Sequence, residues 1–127
     1  MTLEQAIFLA DELKPNQIDR ARKIEWLCRL DQQIYKDLIL RHDRQGDSPL
    51  EMPRYTQETP RDTELLAKAP YDEIYRFCLE THIDLTNQEY GKYNNSAALY
   101  ADAWGRLARA YHREHRTVET KNKRMSF

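Results

Sequence analysis

The sequence predicts a small all-α protein, a bundle of about four helices. Apolar residues recur at spacings of three and four along several stretches, which is the period of amphipathic helices. The 127 residues fit one domain, and three glycines are too few for an architecture rich in tight turns. Hydrophobic residues make up 40% and charged residues 32%, as in folded globular domains. The longest apolar runs have five residues, whereas a membrane helix needs about 20, so we expect no membrane span.

Two helices are predicted in the first third of the chain. Thr2 and Gln5 have the spacing of a capping box, and the first helix is expected to end before Pro15. Asn16 is a favourable N-cap type for the second helix, which is expected to run to about His42. The apolar stripes of the two helices are Leu3, Ala6, Ile7, Ala10 and Leu13, and then Ile24, Leu27, Leu30, Ile34 and Leu38.

A long irregular loop is predicted over residues 44–60. The helical period ends there, and Gly46, Pro49, Pro53 and Pro60 accumulate. A loop of this length is uncommon in a compact domain and is usually functional or mobile.

Two more helices follow this loop. Pro70 is placed at the first position of the third helix, whose stripe comprises Tyr71, Ile74, Tyr75, Cys78, His82 and Leu85. Helix propensity falls around Gly91 and residues 94–95, and Ser96 is expected to cap the fourth helix. Whether this break is a turn or a kink stays open. We expect one domain over residues 1–116 and a flexible basic tail over residues 117–127, free until something binds it.

The residues that could carry catalysis have plainer interpretations. Cys28 and Cys78 lie in amphipathic stretches and are interpreted as core residues of a chain in a reducing compartment. Cys78 and His82 are one helical turn apart, but burial of the thiol would raise its pKa, against an activated thiolate. His112 and His115 lack the further ligands of a metal site. We therefore predict no catalytic residue, no metal site, no cofactor and no small-molecule substrate.

The charge of the chain is unevenly distributed. Residues 106–127 hold seven Lys or Arg and two Glu, a formal charge of +5, which leaves −6 on residues 1–105. Opposite charges on two parts of a chain favour head-to-tail association or charged partners. The basic residues form a ridge that could also face phosphate or DNA. This ridge consists of Arg106, Arg109, Arg113, Arg116, Lys121, Lys123 and Arg124.

Tyrosine is unusually frequent, with eight residues. Most lie in the last two predicted helices, where a small core cannot hide every polar-tipped ring. Tyrosine suits protein contacts because its ring supplies area and its hydroxyl tolerates water. The candidate protein-interaction residues are Tyr71, Tyr75, Tyr90, Tyr93, Asn94, Asn95 and Trp104.

Several stretches of the sequence resemble a known group of proteins. They are the run from Thr63 to Leu66, the run from Pro70 to Tyr75, Ile83 with Asp84, and the run from Glu89 to Ser96. Near the start of the chain, the run from Leu13 to Asn16 and the residues Trp26, Leu27, Leu30 and Asp31 are similar too. These stretches look like small proteins encoded among the head and neck genes of tailed bacteriophages and prophages. The similarity covers most of the chain except residues 44–60 and the tail.

This resemblance implies a non-enzymatic virion structural protein, a head–tail connector of the adaptor or head-completion kind. Such proteins are all-helical and assemble as rings beneath the portal. The implied partners are the portal protein, other neck and tail proteins and further copies of the chain, with non-specific contact to DNA. The implied location is the host cytoplasm on synthesis and the virion neck after assembly. The alternative is a nucleic-acid-binding regulator or packaging accessory that uses the basic ridge.

Overall fold

The structure, a computed structural model, describes residues 1–41 and 51–114. These residues form α1 (Leu3–Leu13), α2 (Arg20–Ile34), α3 (Glu73–Thr86) and α4 (Tyr90–Glu114), and the last turn of α2 continues as a π-helix over Tyr35–Ile39. The one β-type pairing in these residues is an isolated antiparallel bridge between Thr2 and Glu64. The predicted all-α bundle is confirmed. The predicted tail over residues 117–127 and the first part of the predicted loop lie outside the described residues.

Helix α1 forms where the sequence predicts it. The Thr2 hydroxyl accepts from the backbone N–H of Gln5 at 3.1 Å, and the Gln5 side chain accepts from the N–H of Thr2 at 2.9 Å. This reciprocal capping box satisfies two donors that a helix start leaves open. The helix ends at Leu13, two residues before Pro15, as predicted.

Helix α2 begins later than predicted, because the Asn16 side chain makes its hydrogen bonds in the turn before the helix and does not cap it. The Asn16 amide oxygen accepts from the N–H of Ile18 at 3.0 Å, and its NH2 group donates to Asp11 and to the carbonyl of Lys14. Asp19 takes the N-cap position instead. The π-helical turn then carries the helix to Ile39, close to the predicted end.

The start of α3 also differs from the prediction. Residues 69–72 form turns, with the N–H of Tyr71 donating to the carbonyl of Lys68 at 2.8 Å, and the helix begins at Glu73. Pro70, which follows a cis peptide bond, therefore lies before the helix and not at its first position.

The predicted break at Gly91 and Asn94–Asn95 is wrong, because α4 runs unbroken from Tyr90. The chain reverses earlier, over residues 87–89, where Gln88 adopts a φ of 58°. Ser96 is not an N-cap. It is buried inside α4, and its hydroxyl donates to the Asp84 carboxylate of α3 at 2.6 Å. Helices α3 and α4 are thus two separate helices joined by a short turn.

Helix α3 occupies the centre of the bundle and packs against α1, α2 and α4. Ile74, Tyr75, Leu79 and Ile83 on α3 are at most 1% exposed. The core continues into α1 through Leu3 and Ala6, and into the other elements through the following residues: Leu27, Leu30, Ile34, Leu65, Ala103 and Leu107. In residues 1–41 and 51–114, no helix is long and apolar enough to cross a bilayer.

Candidate functional site

The longest helix of the described residues, α4, is exposed along one side. This helix has 25 residues, which corresponds to a length of about 37 Å. It packs on α3 through buried Ser96, Ala103, Leu107 and Ala110. Its other side is solvent-exposed and is called here the α4 outer surface, which comprises Tyr90, Asn94, Asn95, Leu99, Arg106, Arg109 and Arg113.

The structure places the predicted interaction residues in different environments. Tyr90, Asn94 and Asn95 are exposed, whereas Tyr71, Tyr93 and Trp104 are half-buried. Tyr75 is completely buried and cannot belong to an interaction surface, which corrects that prediction. Its ring fills the core, and its hydroxyl is satisfied by internal hydrogen bonds.

The basic ridge is described as far as Arg113. Arg106 pairs with Asp102 one turn earlier, with Nε and Oδ2 3.1 Å apart, and Arg113 donates to the Tyr71 hydroxyl at 3.4 Å. The Arg109 guanidinium lies over Gly105. Three arginines thus follow the second half of α4 on exposed positions. Arg116, Lys121, Lys123 and Arg124 lie outside the described residues.

A buried carboxylate connects three parts of the bundle. Asp31 on α2 is completely buried and accepts from the Tyr75 hydroxyl at 2.6 Å, the Tyr55 hydroxyl at 2.5 Å and the backbone N–H of Leu66 at 3.1 Å. The Tyr75 hydroxyl also accepts from the N–H of Ala67 at 2.6 Å. The group therefore ties α2, α3 and the irregular segment 51–67 together through charge-assisted hydrogen bonds.

Burial dominates the electrostatics of this group. Desolvation raises the pKa of Asp31 above its usual value, although the hydrogen bonds from Tyr55, Tyr75 and Leu66 act in the opposite direction. Desolvation and the neighbouring carboxylate also raise the pKa of Tyr55 and of Tyr75. Both phenols therefore stay protonated and act as hydrogen-bond donors to the carboxylate.

The sequence contains a signal for the burial of Asp31 besides the periodicity of its apolar residues. Asp31 lies on the apolar stripe of α2, between Leu27 and Ile34 and next to Leu30. A carboxylate at such a position is buried, and a buried carboxylate requires donors. The position of Asp31 therefore predicts hydrogen-bond donors, but not which residues supply them.

The Cys78–His82 pair is not arranged as an activated thiolate. Burial raises the pKa of the Cys78 thiol to about 12, although a hydrogen bond from Tyr100 acts in the opposite direction. The His82 ring instead stacks on Trp26, with centroids 4.6 Å apart, and burial lowers the pKa of His82. Both cysteines are free and buried, which confirms their interpretation as core residues.

A second buried carboxylate lies where three helices meet. Asp84 on α3 is 2% exposed; its Oδ2 lies 3.0 Å from Lys14 Nζ at the end of α1 and accepts from Ser96 on α4. One turn earlier, Glu80 pairs with Arg76 at 3.3 Å, and burial raises the pKa of Glu80. The two acids thus have basic or hydroxyl partners within the bundle.

The described surface also contains a shallow open groove of about 370 Å³ beside α1, lined by Met1, Gln5, Phe8, Leu9 and Asp72. Asp72 lies 3.3 Å from the Met1 amine. Within the two described ranges, no group of three or more His, Cys, Asp or Glu side chains is placed to hold a metal ion. His112 is exposed, and His115 lies beyond Glu114, outside these ranges.

The described part of the chain is therefore a small helical bundle with internally paired buried acids and one long exposed helix surface. Comparisons of the chain with protein-family models, with curated proteins and with solved structures found no match.

Proposed function

We propose that this chain is a non-enzymatic structural subunit of a tailed-phage or prophage virion, a head–tail connector that assembles as a ring beneath the portal. The observation that carries the proposal is the α4 outer surface. A helix of 25 residues that packs on one neighbour leaves a long side for other subunits. The resemblance of the sequence to phage neck proteins supports the same conclusion.

The composition of this surface suits contacts between subunits. Exposed Tyr90 and Leu99 supply apolar area at 59% and 44% exposure, and Asn94 and Asn95 supply hydrogen-bonding groups beside them. Arg106, Arg109 and Arg113 extend the surface with positive charge, which complements the formal −6 of residues 1–105. A ring needs two unlike surfaces that meet head to tail, and opposite charges favour that pairing.

The test is a reconstitution of the virion neck. Purified capsids that lack the protein are mixed with the full chain and with tails, and tail attachment is counted by electron microscopy. We expect attachment with the wild-type chain and loss of attachment with the double variant Tyr90→Ser, Leu99→Ser. Phe8→Ser is the matched control, because Phe8 is 62% exposed but lies on α1. Attachment that is unchanged by the α4 variant, or no attachment with the wild type, would contradict the proposal.

Nucleic-acid binding is a second candidate, favoured by the three exposed arginines of α4. Contacts to phosphate release counterions, so affinity for a duplex should fall steeply between about 50 and 200 mM salt. Arg109→Glu combined with Arg113→Glu should weaken binding at low salt, whereas Arg29→Glu on α2 should not. An absence of binding to single and double strands at low salt would eliminate this candidate.

A further inference from the structure

The irregular residues 51–59 are attached to the bundle differently from the residues that follow them. In this segment only Tyr55 is buried, while Arg54 and Thr56 on either side are exposed. Its polar contacts reach one face of α2. The Tyr55 hydroxyl donates to Asp31, the N–H of Tyr55 donates to Cys28 Sγ at 3.4 Å, and Gln32 Nε2 donates to the Pro53 carbonyl at 3.2 Å.

The chain beyond residue 60 is held by another set of bonds. The N–H groups of Leu3 and Glu4 donate to the carbonyls of Thr63 and Arg61, at 2.9 and 3.1 Å, and the N–H of Leu65 donates to the Met1 carbonyl at 3.0 Å. These contacts join residues 61–65 to the start of α1 and do not involve Tyr55. Release of residues 51–59 would therefore leave them intact.

The Asp31 carboxylate also keeps hydrogen-bond donors when Tyr55 is released. The Tyr75 hydroxyl and the N–H of Leu66 still donate to the carboxylate, so its charge remains hydrogen-bonded. A buried carboxylate that would otherwise lose every donor opposes opening strongly, but here two of the three bonds persist. Among the described residues, the hydrogen bonds to α2 that release of the segment breaks are those of Tyr55 and Pro53.

We propose that residues 51–59 form a flap that opens as a unit while the four helices stay folded, with Tyr55 as its buried anchor. Opening uncovers the Cys28 thiol and one oxygen of Asp31 on α2. Local opening of weakly attached segments below the free energy of global unfolding is a general property of proteins. The opening does not depend on the assembly proposed above.

Thiol alkylation of the dilute, full-length chain tests the flap. The rate at Cys28 reports flap opening and the rate at Cys78 in the core reports global unfolding, each measured by mass spectrometry of its own peptide. For wild type we expect the Cys28 rate to be nearly independent of low urea concentrations, because little surface is exposed on opening. The Cys78 rate should rise with urea as steeply as global unfolding does.

Two tyrosine variants make the test specific. Tyr55→Phe removes the bond that opening breaks, so Cys28 alkylation should rise about tenfold or more without gaining urea dependence. Tyr75→Phe removes a hydrogen bond to Asp31 that is present in both the closed and the open form. It should therefore accelerate the alkylation of Cys78 and leave the alkylation rate of Cys28 unchanged. Tyr71→Phe, outside this network, should change neither rate. Equal urea dependence of the two thiols in wild type, or a rise in Cys28 alkylation with Tyr75→Phe as large as the rise at Cys78, would overturn the proposal.

Discussion

At the scale of single residues, the buried carboxylate of Asp31 makes the stability of the fold depend on pH. Burial raises its pKa in the folded state, whereas in the unfolded chain it returns to about 3.9. The folded state therefore binds more protons between these two values. The stability contributed by Asp31 is fully present below the unfolded pKa and is lost as the pH rises through the folded pKa.

The direction of this pH dependence can be measured with the variant Asp31→Asn, whose side chain does not titrate. At neutral pH the variant should be less stable by about 1–3 kcal/mol, because an amide cannot accept from all three donors. The stability difference between wild type and variant should be larger near pH 4 than near pH 7, as determined by urea unfolding across this range. A difference that grows as the pH rises would show that the hydrogen bonds outweigh burial and lower the pKa of Asp31.

The partners of Asp31 also show what a single sequence leaves open at this scale. Its position on the apolar stripe of α2 indicates burial, but the phenols of Tyr55 and Tyr75 come from positions 24 and 44 residues away. Tyr75 was predicted as a surface contact because its ring type is common at interfaces. Only the packing of α2 against α3 decides that its hydroxyl is used internally.

At the scale of elements, periodicity predicted the helices better than residue propensity predicted their ends. The capping box of α1 was confirmed because Thr2 and Gln5 act within one turn. The start of α2 and the break in α4 were wrong because both rested on the preferences of Asn16, Gly91 and Ser96. Propensity is a weak prior that packing overrides. In α4, burial of Ser96 against Asp84 favours the continuous helix.

The continuity of α4 can be tested at Gly91. A Cβ added at this glycine meets nothing within 4 Å, so Gly91→Ala should stabilise the fold by about 0.5 kcal/mol through helix propensity. Thermal and urea unfolding would measure the change. Gly105→Ala is the reference, because Gly105 is helical with or without the break. The methyl group added at Gly105 would lie 3.2 Å from the Arg109 guanidinium, which must therefore shift. A destabilising Gly91→Ala beside a tolerated Gly105→Ala would mean that the helix begins after residue 91.

At the scale of the whole molecule, Asp84 joins three of the four helices. Its carboxylate on α3 contacts Lys14 at the end of α1 and Ser96 within α4, while its backbone carbonyl accepts from the N–H of Glu89 in the connecting turn. Helices α1 and α4 each pack on α3, with little direct contact between the two. The two contacts to one carboxylate should therefore couple α1 to α4 energetically.

A double-mutant cycle on Lys14 and Ser96 measures this coupling. Lys14→Met or Ser96→Ala alone leaves Asp84 with one of these partners, but the double variant leaves a carboxylate that is 2% exposed with neither. The double variant should therefore lose about 1 kcal/mol more than the sum of the single losses in urea unfolding. Lys23→Met combined with Ser96→Ala is the control, since Lys23 pairs with Asp11, 2.7 Å away, and shares no partner with Ser96. Additivity within about 0.5 kcal/mol in both cycles would mean that α1 and α4 are not energetically coupled. The backbone groups around Asp84 would then be what stabilises its buried carboxylate.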